Sequence, residues 1–549
     1  MRRIELILFA ATVLLTGCRP AQSTESTTPV PSPAQMPAPS SSRQTIARVH
    51  WLGLKQLSGE TNAAHWMEIW NLPESRRLEP QTLDKLSLAP WSLLHRALDT
   101  NAAALLRPLL DDVVSNESCL EIRQAANEPA TLVFAIRLDD QRAALWQTNL
   151  ARILESLTGI HPVPAPDDHY GWSLKKHHEP NLLELTRVGG WTIVGAAQDH
   201  NDLLNELLDR IRQGQPPFPA GDTNDWLAAD LDPSGLAAVF SLSARAAGGA
   251  GWGELASNSI FALNHFHLAV TAEGTNILVR GTADFSRPLA LDLKPWNIPT
   301  NLINWQVCSF TAMRGLQPWL KSLKAWNDLQ IGPLPDQICF WAVPNSEMHS
   351  YFAAPLPEAS NEVVRFTEWV LQNQGRRFPT NELSKFERSK EFNGLQWKGL
   401  PYMWPFLRSI TVNKQNFIYG GGFPNVADNS TSLNISQAAL NRADLVYYDW
   451  ETTGPRIDQW IYMGQFARFV SHHAQLPPDS PALLWLKAIA PKLGYTVTRI
   501  TETGPNQLSF TRRSSLGFTG IELNLLADWL ESPRFPLGLH TLLAPPPKQ

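Results

Sequence analysis

An α+β fold of two similar lobes follows from three features of the sequence. The first is a collinear internal repeat. Leu88-Ala-Pro-Trp91 aligns with Leu316-Gln-Pro-Trp319, Ser118–Arg123 with Ile338–Val343, and Phe134–Leu138 with Phe352–Leu356. Gly159 then aligns with Gly375, Trp172 with Trp397, and Ile193-Val-Gly195 with Ile418-Tyr-Gly420, all at offsets of 216 to 228 residues. Matches that are weak singly specify a duplication when they keep their order. The second feature is a set of short apolar runs joined by turn residues, the pattern of antiparallel hairpins. The third is a set of segments with apolar residues every three or four positions, which form helical stripes. Together they predict antiparallel sheets with helices packed on one face.

The chain opens Met1-Arg2-Arg3, continues as a mostly apolar run to Leu15, and reaches Leu15-Thr16-Gly17-Cys18. A short positive segment before about a dozen apolar residues is a signal peptide, too short for a comfortable membrane span. Its ending resembles the lipobox of bacterial lipoproteins. That resemblance implies removal of residues 1–17 and acylation of Cys18, palmitate included, which ties the protein to a membrane through its N-terminus. Several acyl chains hold firmly where one binds only marginally. Arg19 is no inner-membrane retention signal, which favours the outer membrane of a two-membrane cell, facing the periplasm or the surface. Residues 18–46 are dominated by Pro, Ser, Thr, Gln and Ala. Such a stretch has little to bury and is expected to be a disordered tether. No later run of eighteen apolar residues predicts another span.

The first lobe is expected over residues 47–297. Residues 130–138 are a nearly unbroken apolar run, which fits a central strand. Asp139 or Asp140 is placed to cap a helix striped by Ala143, Trp146, Leu150, Ile153, Leu154 and Leu157, with Gly159 as its stop. Residues 181–188 and 191–196 flank Gly189-Gly190 and read as a hairpin, because two glycines supply the positive φ angles of a tight turn. Asp199 opens a helix striped by Leu203, Leu204, Leu207, Leu208 and Ile211 and stopped by Gly214. Residues 266–271 and 276–281 form a further hairpin.

The second lobe, 298–549, repeats this order. A strand at 305–311 leads to a helix striped by Leu316, Trp319, Leu320 and Leu323. Strands at 337–343 and 350–354 precede a helix near 362–374. Strands near Ile410 and Phe417 lead to one at 445–450 and a helix striped by Ile457, Trp460, Ile461 and Gly464. Hairpin strands at 495–501 and 508–512 close the lobe. The cleft between lobes is the default ligand position. This duplicated architecture resembles bacterial envelope lipoproteins with a repeated α+β unit, a resemblance that brings no activity and no functional residues with it.

Composition narrows the function classes. With 43% hydrophobic and 18% charged residues over 549 positions, the chain is an ordinary globular protein. A net charge of −5 lacks the basic footprint of a nucleic-acid binder. Besides Cys18 there are three cysteines, Cys119, Cys308 and Cys339, too few for a disulfide scaffold. Free buried thiols are expected, with a Cys308–Cys339 bridge as the alternative in an oxidising compartment.

No Gly-x-Ser-x-Gly, His-Glu-x-x-His, phosphate-loop or Cys-x-x-Cys signature occurs. Gly249-Ala-Gly251-Trp-Gly253 lacks the third glycine of a dinucleotide turn, and Gly420-Gly421-Gly422 reads as a strand-end turn. His265 and His267 stand two apart on a strand, so both rings share a side, but nothing in the sequence nominates a third ligand and no metal is expected. His177-His178 and His472-His473 are adjacent pairs whose rings diverge. Asp111-Asp112, Asp167-Asp168 and Asp230/Asp232 lie near turns or helix ends, where caps explain them. Among the 21 tryptophans most fall at core positions, while Trp66 and Trp70, one helical turn apart, could form a glycan platform.

These observations predict a lipid-anchored, non-catalytic protein that binds or scaffolds, with an envelope protein or glycan as partner and no cofactor. Two rivals remain. A hydrolase of an envelope polymer needs converging acids or a histidine–acid pair in a cleft. A carrier of lipid or another apolar ligand needs an apolar cavity between sheet and helices.

Overall fold

The first strand begins at Gln44, with Ile46 only 3% exposed, so residues 44–46 belong to the folded part and not to the tether expected to end there. The computed structural model describes residues 44–540 apart from 125–128, 166–170, 176–181, 198–200, 218–224, 241–262, 304–306, 323–333, 345–348, 375–384, 401–402, 425–439, 471–475, 537 and 539. Residues 1–43, with Cys18 and the expected signal segment, lie outside these residues. Among the described residues no helix is long and apolar enough to cross a membrane.

All described strands belong to one sheet. The first half supplies β1 (Gln44–Trp51), β2 (Ser118–Gln124), β3 (Thr131–Arg137), β4 (Val163–Pro164), β5 (Trp172–Lys175), β6 (Leu182–Val188), β7 (Trp191–Ala197), β8 (Leu227–Leu231), β9 (Leu263–Glu273) and β10 (Asn276–Phe285). The second supplies β11 (Ser309–Arg314), β12 (Gln337–Ala342), β13 (Ser350–Pro355), β14 (Lys385–Arg388), β15 (Gly394–Lys398), β16 (Phe406–Val412), β17 (Gln415–Gly421), β18 (Leu445–Thr452), β19 (Tyr495–Gly504) and β20 (Gln507–Ser514).

The antiparallel pairings run β4-β5-β6-β7-β3-β2-β1-β8-β9-β10 in the first half. They continue from β10 to β20 and then β19-β18-β11-β12-β13-β17-β16-β15-β14. The second half therefore repeats the first strand for strand, and the two runs join edge to edge through their last strands.

The ladders also fix the register of the repeat. Leu120, Phe134, Val194, Leu185 and Trp172 face one another in turn across five strands. Phe340, Phe352, Gly420, Leu407 and Leu395 do the same in the second half. The Cys119/Cys339 and Phe134/Phe352 alignments hold, but Val194 corresponds to Gly420 and Trp172 to Leu395. The sequence alignment is off by one and by two there, because an aromatic or a glycine on a neighbouring position scores as well as the true partner.

Between these strands lie α1 (Leu54–Leu57), α2 (Ala64–Trp70), α3 (Pro73–Leu93), α4 (Thr100–Ser115), α5 (Asp140–Thr158), α6 (Asp202–Arg212), α7 (Pro233–Phe240), α8 (Gln317–Ser322), α9 (Ala359–Asn373), α10 (Thr453–Val470), α11 (Pro481–Ile489) and α12 (Gly520–Glu531). In α5, Asp139 accepts a hydrogen bond from the Arg142 amide and Gly159 ends the helix at φ 73°. The cap of α6 is Asn201, which accepts from the Leu204 amide, two residues after the expected Asp199.

Helices α3, α4 and α5 bury Leu86, Leu106, Leu110 and Trp146 against Leu120, Phe134 and Val194. On the reverse side Val133, Ala135 and Ile193 pack under Leu203, Leu204 and Leu207 of α6. Strand β3 is thus covered on both faces, which is why its sequence shows an apolar run without alternation. The central strands follow the expected pattern of one covered face: Val270, Ile277 and Val279 pack towards Leu57, Ala63 and Trp66.

A cleft was expected between the lobes. Along the described residues their boundary is instead an eight-pair ladder from Ile277/Ser514 to Asp284/Gln507. Phe266 and Phe510 stack across it at 5.8 Å. A second contact joins Ile69 and Leu78 of the first half to Ile457, Leu486 and Leu523 of the second.

Candidate functional site

Strand alternation places a polar row on the solvent-facing side of the central sheet. Cross-strand pairing sets Glu121 beside Arg48, Arg48 beside Asp230, Asp230 beside His267, and His267 beside Thr282. One step along, His265 faces Asp284, which faces Gln507 of the second half. His267 Nδ1 lies 2.8 Å from Asp230 Oδ1, and His265 Nε2 lies 3.9 Å from that same oxygen. His265 Nδ1 is 3.5 Å from Asp284 Oδ2. The Gln507 amide donates to Asp284 Oδ1 at 2.7 Å. All four side chains of the His265, His267, Asp230 and Asp284 group are between 36% and 44% exposed. As they stand they form a chain of polar contacts; among the described residues no group of three or more His, Cys, Asp or Glu side chains is placed to hold a metal ion.

At the inner end of the row Glu121 is fully buried. Arg123 Nε donates to it at 2.7 Å and Arg48 at 3.1 Å, while Arg123 also reaches Glu206 of α6 at 2.7 Å. Burial pushes the Glu121 carboxyl up, but the hydrogen bonds and charges of the two guanidinium groups outweigh it and hold the acid below its ordinary range. The ladder counterpart of Glu121 is Trp341, which stacks on Tyr351 at 5.8 Å and Tyr419 at 6.0 Å. One copy therefore keeps a charge network where the other has an aromatic stack.

A second acidic group is interior. Asp449 and Glu451 stand two apart on β18 and are 6% and 4% exposed. Thr311 donates to Asp449 at 2.6 Å, and the Gly520 amide at the start of α12 donates to Glu451 at 2.6 Å. Burial, together with the neighbouring Asp449 charge, raises Glu451 to about 7 against the pull of that amide and of Arg456.

The remaining sequence candidates separate cleanly. Asp112 is buried, held by Arg142 at 2.7 Å and by the Trp146 indole at 2.9 Å, while Asp111 pairs with Arg107. Asp232 caps α7 through the Gly235 amide, whereas Asp230 meets His267 rather than capping anything. Trp66 and Trp70 stack at 5.2 Å and Trp66 also meets Trp226, so this pair is half-buried packing and not an open platform. Gly420 and Gly421 lie inside β17, where a Cβ on Gly421 would meet the Tyr351 ring at 2.3 Å, so close packing and not a turn requires them. Cys119, Cys308 and Cys339 are all free and buried, without a Cys308–Cys339 bridge. Burial pushes the Cys339 thiol up to about 12, so it does not serve as a nucleophile. His177-His178, His472-His473, Asp167-Asp168 and residues 249–253 lie outside the described residues.

Sequence patterns nominate His265 and His267 and pass over Asp284, Gln507, Arg48 and Glu121. One signal was present. Gly274 and Thr275 form a two-residue turn, and that turn sets His265 opposite Asp284. The pairing of β8 with β9 follows a long connection, so nothing local brings Asp230 to His267.

No family model matches this chain, and no curated protein matches it. Matching solved structures include crystal form III of TP0453, with a TM-score of 0.22 and 10% identity over 48% of this chain and 85% of that one. Crystal form I of TP0453 matches with a TM-score of 0.21 and 9% identity over 48% and 84%. A likeness of this size assigns neither fold nor function to this chain.

Proposed function

We propose that the protein is a lipid-anchored envelope protein that binds or scaffolds a partner and catalyses no reaction. The observation that carries this reading is the solvent-facing polar side of the central sheet, which continues over the seam. Arg280 faces Thr511 there, and Thr511 faces Arg499. A ladder of this length holds its side chains at fixed spacings, which suits recognition of an extended protein or glycan surface. The lipobox at Cys18 supplies the membrane address.

Two features favour binding over hydrolysis. The close acid pair Asp449/Glu451 is interior, and the thiols are buried. The packing of Trp91, Leu106, Phe134 and Trp146 in one core favours a filled interior over an apolar carrier cavity in the first half.

The test uses the full chain in cells. A photo-crosslinking residue in place of Arg280 is expected to trap an envelope component, while one in place of exposed Arg152 on α5 is not. Equal labelling from both positions, or degradation of a wall polymer by the purified protein, contradicts the proposal. Cys18→Ser is expected to leave unprocessed precursor; normal processing of that variant removes the anchor from the reading.

A further inference from the structure

The strand pair β8–β9 brings together groups that the sequence could not connect. From the placement of His265, His267, Asp230 and Asp284 we infer a binding site for one divalent transition-metal ion of the zinc class on the open sheet face. The inference goes beyond the binding role proposed above and does not depend on it.

The first observation is spacing. Two ligands on one tetrahedral ion, each about 2.0–2.1 Å from it, stand roughly 3.3 Å apart. Asp230 Oδ1 lies 2.8 Å from His267 Nδ1 and 3.9 Å from His265 Nε2, so the two separations bracket that value. Binding would require these part-exposed side chains to rotate so that the three atoms surround a common point. The ladder of β8 with β9 already sets Asp230 opposite His267, and His265 follows two residues along the same strand face.

The second observation is orientation. His265 turns Nδ1 towards Asp284 at 3.5 Å and Nε2 towards Asp230. A carboxylate on one imidazole nitrogen fixes the tautomer and leaves the other nitrogen's lone pair for a metal. Asp284 is itself held by Gln507 from the other half of the molecule. The ion would thus have His265 Nε2, His267 Nδ1 and one Asp230 oxygen as ligands, with Asp284 as a positioning residue. The remaining coordination position opens to solvent. Two imidazoles and one carboxylate suit zinc, copper or nickel better than calcium or magnesium, which prefer all-oxygen sets.

The experiment is titration of the full chain, purified in detergent without a histidine tag, with zinc chloride by calorimetry and with cobalt(II) by visible absorption. One equivalent of zinc is expected, and cobalt is expected to give the intense band of a four-coordinate site. His267→Ala and Asp230→Asn should each weaken binding at least tenfold, and Asp284→Asn by about tenfold with a shifted cobalt band. His50→Ala, in the separate His50–Glu117 pair, should leave binding unchanged. Metal-free unfolding midpoints of all variants should match the parent, because these side chains lie at the surface. No zinc uptake, or uptake that the His265→Ala/His267→Ala double variant retains in full, overturns the assignment.

Discussion

Glu451 accepts the first amide of α12 from a position with almost no access to water. Asp449 on its own strand and Arg456 from α10 set the charge around it, while Arg512 from β20 and Glu522 from α12 act on Asp449. The ladder counterpart of Glu451 in the first half is Leu231, and that of Asp449 is Ala229, so one half has buried acids where the other has apolar side chains. The folded carboxyl titrates at about 7, above the ordinary value of about 4.3 in an unfolded chain. Between those values the folded state binds more protons, so stability is greatest at the acid end and falls as pH rises through the window. The difference is worth about 4 kcal/mol for a group this deeply buried. Glu451→Gln keeps an oxygen for the Gly520 amide and loses the charge. Denaturant midpoints at pH 5 and pH 8 are expected to differ less in this variant than in the parent. Equal slopes in the two proteins would show that Glu451 does not titrate in this range.

At the scale of elements, caps and turns were the most legible features. The stripe of α5, its Asp139 cap and its Gly159 stop all depend on residues within one turn of each other, and the structure places them as the pattern predicts. The β6–β7 hairpin at Gly189-Gly190 is equally local. Strand β17 is different. Gly420-Gly421-Gly422 suggests a turn by composition alone, yet Gly421 is a strand residue with the Tyr351 ring and the Ser350 carbonyl where its Cβ would be. Those neighbours come from β13, far away in sequence. Gly421→Ala is therefore expected to displace Tyr351 from the Trp341 and Tyr419 rings and to cost about 2 kcal/mol, read from the denaturation midpoint. A cost below about 0.5 kcal/mol would place that variant among neutral surface changes and refute the packing argument.

At the scale of the whole molecule the seam is the decisive feature. The ladder between β10 and β20 and the apolar contact of Ile69 and Leu78 with Ile457, Leu486 and Leu523 tie the halves together on two sides. Lys85 adds a hydrogen bond to the Leu530 carbonyl, and Trp485 one to Ser75. The segment after β10 has exposed positions at Ser286 and Arg287. A protease site inserted there and cut in the folded protein is expected to leave both fragments co-eluting on size exclusion. Separation of the fragments without denaturant would mean that the chain connection, and not the seam, holds the halves together.

The sequence by itself determined the repeat, the α+β class, helix α5 with its cap and stop, and the hairpins β6–β7, β9–β10 and β19–β20, because each is written in residues that lie close along the chain or recur at a nearly constant offset. Only the tertiary structure decided that the two sheets fuse into one, which strand faces are covered, and that Asp230 stands beside His265 and His267. Those outcomes depend on pairing between strands separated by long connections, where a shift of a single residue sends every side chain to the opposite face.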